Sequence, residues 1–179
     1  MTKKSQYDSI ADRYDSLFTD DSSLSENAEV GDMLRPLNGS VLDVGCGTGL
    51  LTEIVSICPD DYMGIDPSEM MLKRFKEKHP SYRNLVCASF DGKVVDCNMF
   101  DNIISLFGSA SYLSNIALLR LSKSESNLFL MFYKEGYYPV TYEKCGVDFT
   151  HKNHSKKVLA SLFGSKNIKE YNNYIIVRR

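Results

Sequence analysis

The sequence lacks a long hydrophobic run, and nowhere do apolar residues approach the ~20 consecutive positions that a membrane-spanning helix needs. Its first residues, Met1 to Gln6, lead into a polar amphipathic pattern and contain no apolar signal-peptide core. These two absences predict a cytoplasmic protein that does not interact with a membrane.

Cysteine pairs and strong charge are also absent. The five cysteines are scattered and form no C-x-x-C pair, which argues against a disulfide framework and against a zinc site, so we expect no metal. The three histidines form no Ser-His-Asp or Cys-His set that would indicate nucleophilic catalysis. A formal net charge of −2 argues against a general affinity for nucleic acid.

Repeats, low-complexity tracts and linkers are missing too. The 179 residues therefore predict one domain over residues 1–179, and a domain of this size hides roughly 70% of its unfolded surface. Within it we expect an N-terminal helical cap over residues 1–38 and a ligand-binding core over residues 39–179.

The most informative stretch runs from Val41 to Thr52. A short apolar run rich in β-branched residues is followed by Gly45, Gly47 and Gly49, and from Leu50 the apolar residues recur at helical spacing. This pattern predicts a strand, a tight glycine turn and a helix. Glycines suit a turn that takes unusual dihedrals and lets a ligand approach closely, and the free N–H groups of the following helix suit a nucleotide-like ligand.

The spacing of the glycines distinguishes between ligands. Dinucleotide folds carry G-x-G-x-x-G, but here Leu50 stands at the third glycine position, so NAD is disfavoured. Asp43 precedes the first glycine by two residues, where its carboxylate could accept a hydrogen bond from an ammonium group. Asp66 ends the next predicted strand about twenty residues beyond the turn, where a carboxylate can accept both hydroxyls of a ribose. The alternative is a glycine-rich turn in some other α/β protein.

Taken together, the segments Asp43 to Gly49 and Gly64 to Ser68 resemble the class I S-adenosylmethionine-dependent methyltransferases. The resemblance implies S-adenosylmethionine as the cofactor. It also implies an α/β fold with a Rossmann-like, doubly wound, seven-stranded sheet that is mostly parallel, has helices on both faces and closes with a C-terminal antiparallel hairpin. The resemblance covers essentially the whole chain and is most specific between residues 40 and 72.

The resemblance places the cofactor on the glycine loop, on the carboxylate that ends strand two, and on residues after neighbouring strands. One position departs from the family pattern, because Ser89 stands where many members carry an Asp that bonds the adenine amino group. The residues expected to bind the cofactor are Tyr7, Arg13, Asp43, Gly45, Cys46, Gly47, Gly49, Asp66, Pro67, Met71, Ser89, Phe90 and Leu106.

The N-terminal segment is expected to act as a lid. Apolar residues spaced i, i+3, i+4 and i+7 from Tyr7 to Phe18 predict an amphipathic helix, and the resemblance implies that this helix lies over the cofactor. A second helix is expected to be capped by Ser23 with Glu26 and to stop before Pro36.

Three residues are candidates for a catalytic role. Tyr14 belongs to the expected lid, Tyr112 follows a buried strand at the ligand edge, and His151 would be a general base if the irregular aromatic segment 135–150 folds over the methyl group. Further aromatic residues near this edge would suit a flat or cationic acceptor, although core packing is the alternative for each: Phe107, Tyr137, Tyr138 and Tyr142.

The predicted function is methyl transfer to an O or N atom of a small-molecule acceptor. The sulfonium is already an activated donor, so positioning and exclusion of water are the main requirements. The alternative is a non-catalytic S-adenosylmethionine-binding module that activates a partner methyltransferase, with the basic stretch 151–179 as its docking face. A protein partner or a homodimer is left open, and the sequence does not identify the acceptor.

Overall fold

The structure is a computed structural model of the chain and describes residues 5–136 and 139–179. Its strands are β1 Val41–Val44, β2 Tyr62–Asp66, β3 Leu85–Cys87, β4 Asn102–Ser105, β5 Asn127–Tyr133, β6 Thr141–Lys144, β7 Val147–Thr150, β8 Ile168–Tyr171 and β9 Tyr174–Arg178. Its α-helices are α1 Asp21–Leu34, α2 Leu50–Ile54, α3 Glu69–Lys78, α4 Asn115–Lys123 and α5 Lys156–Phe163. Within these two ranges, every helix is too short or too polar to cross a bilayer.

Seven strands form one sheet in the order β3-β2-β1-β4-β5-β9-β8. The first five run parallel to one another, β9 pairs antiparallel with β5, and β8 pairs antiparallel with β9. The order reverses between β1 and β4, and such a switch point opens a crevice at the C-terminal ends of the strands. The predicted class of fold, with its closing hairpin, is confirmed.

Apolar side chains cover both faces of the sheet because they alternate along each strand. Leu42 and Ile103 pack in one cluster with side chains of α4 and α5, whereas Val41 and Ile104 pack in a second cluster with side chains of α1, α2 and α3. Helices therefore cover both faces, as predicted, and the site is left at the edge of the sheet.

The N-terminal segment differs from its prediction. Residues 6–18 form three short 3₁₀ turns instead of one amphipathic helix. The reason is that Asp8, Asp12 and Asp15 are engaged by α3 and by the glycine turn, which holds the segment flat against the domain. The next helix also begins earlier than predicted, because the side chain of Asp20 accepts the N–H of Ser23 and so caps α1.

The aromatic segment after β5 was expected to be irregular. Instead β6 and β7 pair as a separate antiparallel hairpin, whose Phe149 is fully buried against the N-terminal segment. Tyr137 and Tyr138 lie outside the described residues. The hairpin and the N-terminal turns pack together beside the crevice, and we refer to residues 5–18 and 141–150 together as the cover.

Candidate active site

A cavity of about 630 Å³ lies at the C-terminal ends of β1, β2, β4 and β5, beneath the cover. Such a volume falls within the range of small-molecule sites. Nine of the predicted site residues line it: Tyr7, Tyr14, Gly45, Asp66, Pro67, Met71, Ser89, Phe90 and Tyr112. Further residues that line it were not assigned from the sequence: Ser5, Gln6, Val44, Ile65, Ser109, Leu113, Tyr133 and Thr150.

The three glycines after β1 all have positive φ angles, of +78°, +53° and +101°. The N–H groups of Gly45 and Cys46 donate to the carbonyl of Ile65, which fixes the turn against β2. A Cβ on Gly45 would lie 2.6 Å from Cβ of Ser109, and one on Gly49 would lie 2.8 Å from the ring of His79. Packing alone therefore requires glycine at these two positions.

Gly47 is different because a Cβ there would meet no atom within 4 Å. We expect Gly47→Val to fold, at a cost of about 1–2 kcal/mol for a side chain in the left-handed region, and to lose binding of S-adenosylmethionine. Calorimetric titration and thermal unfolding measure the two effects separately. Gly136→Val is the matched control, since Gly136 also has a positive φ of +80° and open space around it. Normal cofactor affinity in Gly47→Val would show that this glycine serves only the backbone.

Asp66 ends β2 and faces the cavity. Its Oδ2 accepts the N–H of Gly47 at 3.0 Å and its Oδ1 accepts the N–H of Ser68 at 2.8 Å. Burial raises the pKa of Asp66 to about 6, while the two backbone hydrogen bonds act in the opposite direction. At neutral pH the group is ionised, and each oxygen keeps a lone pair for a further donor.

Asp43 lies behind the glycine turn and does not line the cavity. Its Oδ2 accepts the hydroxyl of Tyr62 at 2.8 Å, and the side chain is 2% exposed. Burial is the main cause that raises the pKa of Asp43 to about 7. The contact between this carboxylate and the cofactor ammonium therefore stays a prediction.

This burial predicts a pH dependence of stability. Because the folded-state pKa of Asp43 lies above the usual value of 3.8, the folded protein binds the proton more tightly than the unfolded chain does. The stabilisation is complete below about pH 4 and is lost as the pH rises towards 7. As the pH rises from 5 to 8, we expect the free energy of unfolding of Asp43→Asn to increase by about 2–3 kcal/mol relative to that of the unsubstituted protein. Urea unfolding of both proteins at these pH values measures the difference. The same dependence of this free energy on pH in both proteins would contradict the prediction.

Carboxylates of the N-terminal turns hold the cover on α3 and on the glycine turn. Asp8 Oδ1 accepts from Ser68 Oγ at 2.7 Å and from the N–H of Met70 at 3.2 Å. Thr48 Oγ1 donates to Asp15 at 2.5 Å.

Arg13 joins the N-terminal turns to the hairpin. Its guanidinium donates to the carbonyl of Cys145 in the hairpin turn at 2.9 Å. Arg13 therefore joins the two halves of the cover and is not a residue of the cavity wall.

Hydroxyl groups of three tyrosines form a chain along the cavity. Tyr7 OH lies 3.1 Å from Tyr112 OH, which lies 3.1 Å from Tyr142 OH. Burial is the largest cause that raises the pKa of Tyr7, Tyr14 and Tyr112 above the ordinary value. These phenols are protonated at neutral pH, so they can orient an acceptor by hydrogen bonds but cannot take its proton.

His151 is 4% exposed and does not line the cavity. Its Nδ1 lies 3.0 Å from the carbonyl of Lys152 and its Nε2 lies 3.0 Å from the carbonyl of Pro139. Both ring nitrogens therefore face acceptors, and no lone pair is directed at a substrate. Four other predicted residues also lie outside the lining: Cys46, Gly47, Gly49 and Leu106. Among the described residues, no three His, Cys, Asp or Glu side chains come together as a metal site.

Comparison with known proteins finds relatives of the part of the chain that forms the glycine turn and the crevice. Residues 41–124 match the family model described as a methyltransferase domain. This stretch, a little under half of the chain, is therefore similar to a methyltransferase domain, in agreement with the resemblance stated from the sequence. A search of the curated proteins found no match.

Several solved structures share the fold over nearly their whole length. The CcbJ methyltransferase from Streptomyces caelestis has a TM-score of 0.69 at 14% identity, with 98% of each chain covered. DesVI from Streptomyces venezuelae has a TM-score of 0.66 at 18% identity, with 94% of this chain and 97% of that chain covered. CalS10, an amino pentose methyltransferase from Micromonospora echinaspora solved with bound S-adenosylmethionine, has a TM-score of 0.60 at 16% identity, with 86% and 89% covered.

Proposed function

We propose that this protein transfers a methyl group from S-adenosylmethionine to an O or N atom of a small molecule. The observation that carries the proposal is the cavity itself, which extends from the glycine turn and Asp66 to a second wall formed by Tyr112, Leu113 and Tyr133. A site for the cofactor alone would not need this second wall. The methyltransferase domain and the bound S-adenosylmethionine in CalS10 support the identity of the cofactor.

The lining residues fit this cofactor. Asp66 keeps lone pairs for the ribose hydroxyls, and Pro67 and Met71 provide apolar surface for the adenine. Ser89 and Phe90 lie in the wall where the adenine edge is expected, with a hydroxyl in place of the family's carboxylate. When bound, the cofactor supplies a methyl group on a positively charged sulfur.

The chain's own contribution is to align the acceptor and to exclude water. The phenols of Tyr14 and Tyr112 face the cavity from the cover and from the loop after β4, and we assign both to orienting the acceptor. Alignment of this kind can lower a barrier by roughly 7–11 kcal/mol without a dedicated nucleophile. We do not assign His151 a role as a base, because both of its nitrogens face carbonyl oxygens.

The test is to incubate the purified protein alone with S-adenosylmethionine labelled in its methyl group and with a metabolite extract. We expect stoichiometric binding by calorimetry and transfer of label to compounds of low molecular weight. Tight binding without transfer, restored by a second protein, would favour the alternative of a non-catalytic module that activates a partner. The absence of binding would contradict both functions. A cytoplasmic location and a homodimer or protein partner stay predictions.

A further inference from the structure

The charge of the cavity wall limits which acceptors can enter. Among the described residues that line it, Asp66 carries the only ionised side chain, and there is no Lys, Arg or His. Two lysines outside the lining approach it: the Nζ of Lys152 donates to the carbonyl of Leu113 at 3.1 Å, and the Nζ of Lys144 lies 3.7 Å from the ring centroid of Phe18 and 5.8 Å from that of Tyr14. A carboxylate or phosphate group on the acceptor would lose its hydration here, and no basic side chain of the described wall would compensate for that loss. The wall therefore disfavours anionic acceptors.

Aromatic rings enter the wall of the cavity from both the cover and the sheet. Tyr7 and Tyr14 contribute from the cover, and Phe107, Tyr112 and Tyr133 contribute from the C-terminal ends of β4 and β5. Tyr7 meets both Tyr14 and Tyr112 edge to face, at 6.0 and 6.1 Å between ring centroids. The faces of such rings attract cations, and more strongly when water is excluded. This arrangement favours an acceptor on which positive charge develops during the reaction.

No group of the wall can take a proton from a hydroxyl acceptor. An alcohol must lose its proton as its oxygen attacks, which requires a base within hydrogen-bond reach. The phenols stay protonated because burial raises their pKa, and the lone pairs that Asp66 keeps beside its two backbone N–H groups are assigned to the ribose hydroxyls. An amine needs no base in the wall, because its ammonium releases a proton to water before it enters, and removal from water then favours the neutral form.

We infer that the acceptor is an amine that carries no carboxylate or phosphate group, an inference that rests on the proposed function. The neutral nitrogen forms the new N–C bond while the C–S bond breaks with its electron pair on sulfur, and the methylated ammonium then releases one proton to water. The hydroxyls of Tyr7 and Tyr112, 3.1 Å apart, accept N–H bonds from the neutral amine, and the surrounding rings stabilise the methylated ammonium that the reaction forms.

The test compares two portions of one metabolite extract. In one portion the primary and secondary amines are acetylated with N-hydroxysuccinimidyl acetate, and in the other the reagent is quenched before it is added. We expect the protein to transfer at least about tenfold less label into the blocked portion, and mass spectrometry of the products to place the added methyl on nitrogen. Equal transfer into both portions would overturn the inference and leave the proposed function standing. No transfer into either portion would overturn both.

A pair of variants tests the role of the rings independently. Tyr133→Phe keeps the ring at the end of β5, and Tyr133→Leu removes it. The KM is measured as the concentration of the unblocked extract that gives half-maximal transfer of label. We expect this KM to rise about tenfold in the Leu variant and less than about twofold in the Phe variant. The calorimetric Kd of S-adenosylmethionine should be unchanged in both. Equal KM values in the two variants would overturn the assignment of this ring to amine binding.

Discussion

Asp66→Ala is expected to weaken S-adenosylmethionine binding by about 1.5–3 kcal/mol, which is the range for hydrogen bonds to a charged group. The variant loses the carboxylate proposed to accept the ribose hydroxyls. It also releases the N–H groups of Gly47 and Ser68, which Asp66 holds at 3.0 and 2.8 Å. Calorimetric titration of the folded variant measures the loss, and Asp60→Ala is the control for removal of an exposed carboxylate elsewhere.

Comparison of two ligands separates the loss of the ribose contacts from the release of the backbone N–H groups of Gly47 and Ser68. The unsubstituted protein is expected to bind the 2′,3′-dideoxy analogue of S-adenosylhomocysteine more weakly than S-adenosylhomocysteine itself. Asp66→Ala should bind the two compounds equally, because the carboxylate that distinguishes them is gone. If the variant still prefers the natural ribose by the full amount, Asp66 only supports the glycine turn and the ribose is held elsewhere.

Removal of residues 1–18 is expected to leave a folded domain that binds the cofactor more weakly and transfers methyl groups roughly a hundredfold more slowly, the scale of loss when reacting groups are misplaced. The fold should survive because Ile10 and Ala11 belong to a small cluster with Met71 and Phe149, separate from the two clusters that cover the sheet. The site should not survive intact because Tyr7 and Tyr14 form part of its wall. Circular dichroism, calorimetry and transfer of label measure the three properties.

Two further measurements test this role of the cover. Tyr14→Phe keeps the ring, so it should spare folding and cofactor affinity and reduce turnover more than binding. Cofactor binding should slow amide hydrogen exchange in residues 7–18, because their turns close over the ligand. Unchanged exchange in these residues, together with full activity of the truncated protein, would show that they only pack against the domain and take no part in binding or catalysis.

Most of the sheet could be predicted because its signals are local. Each parallel strand is a short apolar run, and residues such as Ser68 and Gly164 mark where helices begin and end. The closing hairpin likewise turns at Asn172 and Asn173, a residue type that favours turns. These elements depend mainly on neighbouring residues, and the structure places them where the sequence does.

The cover was predicted poorly because its conformation depends on distant contacts. The spacing of Tyr7, Ile10 and Tyr14 is helical, yet three carboxylates of this segment accept hydrogen bonds from side chains and backbone about sixty residues away: Asp8, Asp12 and Asp15. The hairpin of β6 and β7 places Phe149 beneath the N-terminal turns, which no pattern within its own segment indicates. For the same reason the sequence did not reveal that Asp43 pairs with Tyr62 or that His151 is enclosed by carbonyl groups.

The cover is also expected to open before the sheet unfolds. It closes by contacts between residues 105 and 132 positions apart, Tyr7 with Tyr112 and Arg13 with Cys145, and much of its surface is in contact with solvent. Segments of this kind open at a lower free energy than the central strands. In a urea titration, ligand binding should therefore disappear at a lower concentration than the circular dichroism signal of the sheet, so that the protein becomes inactive while still largely native.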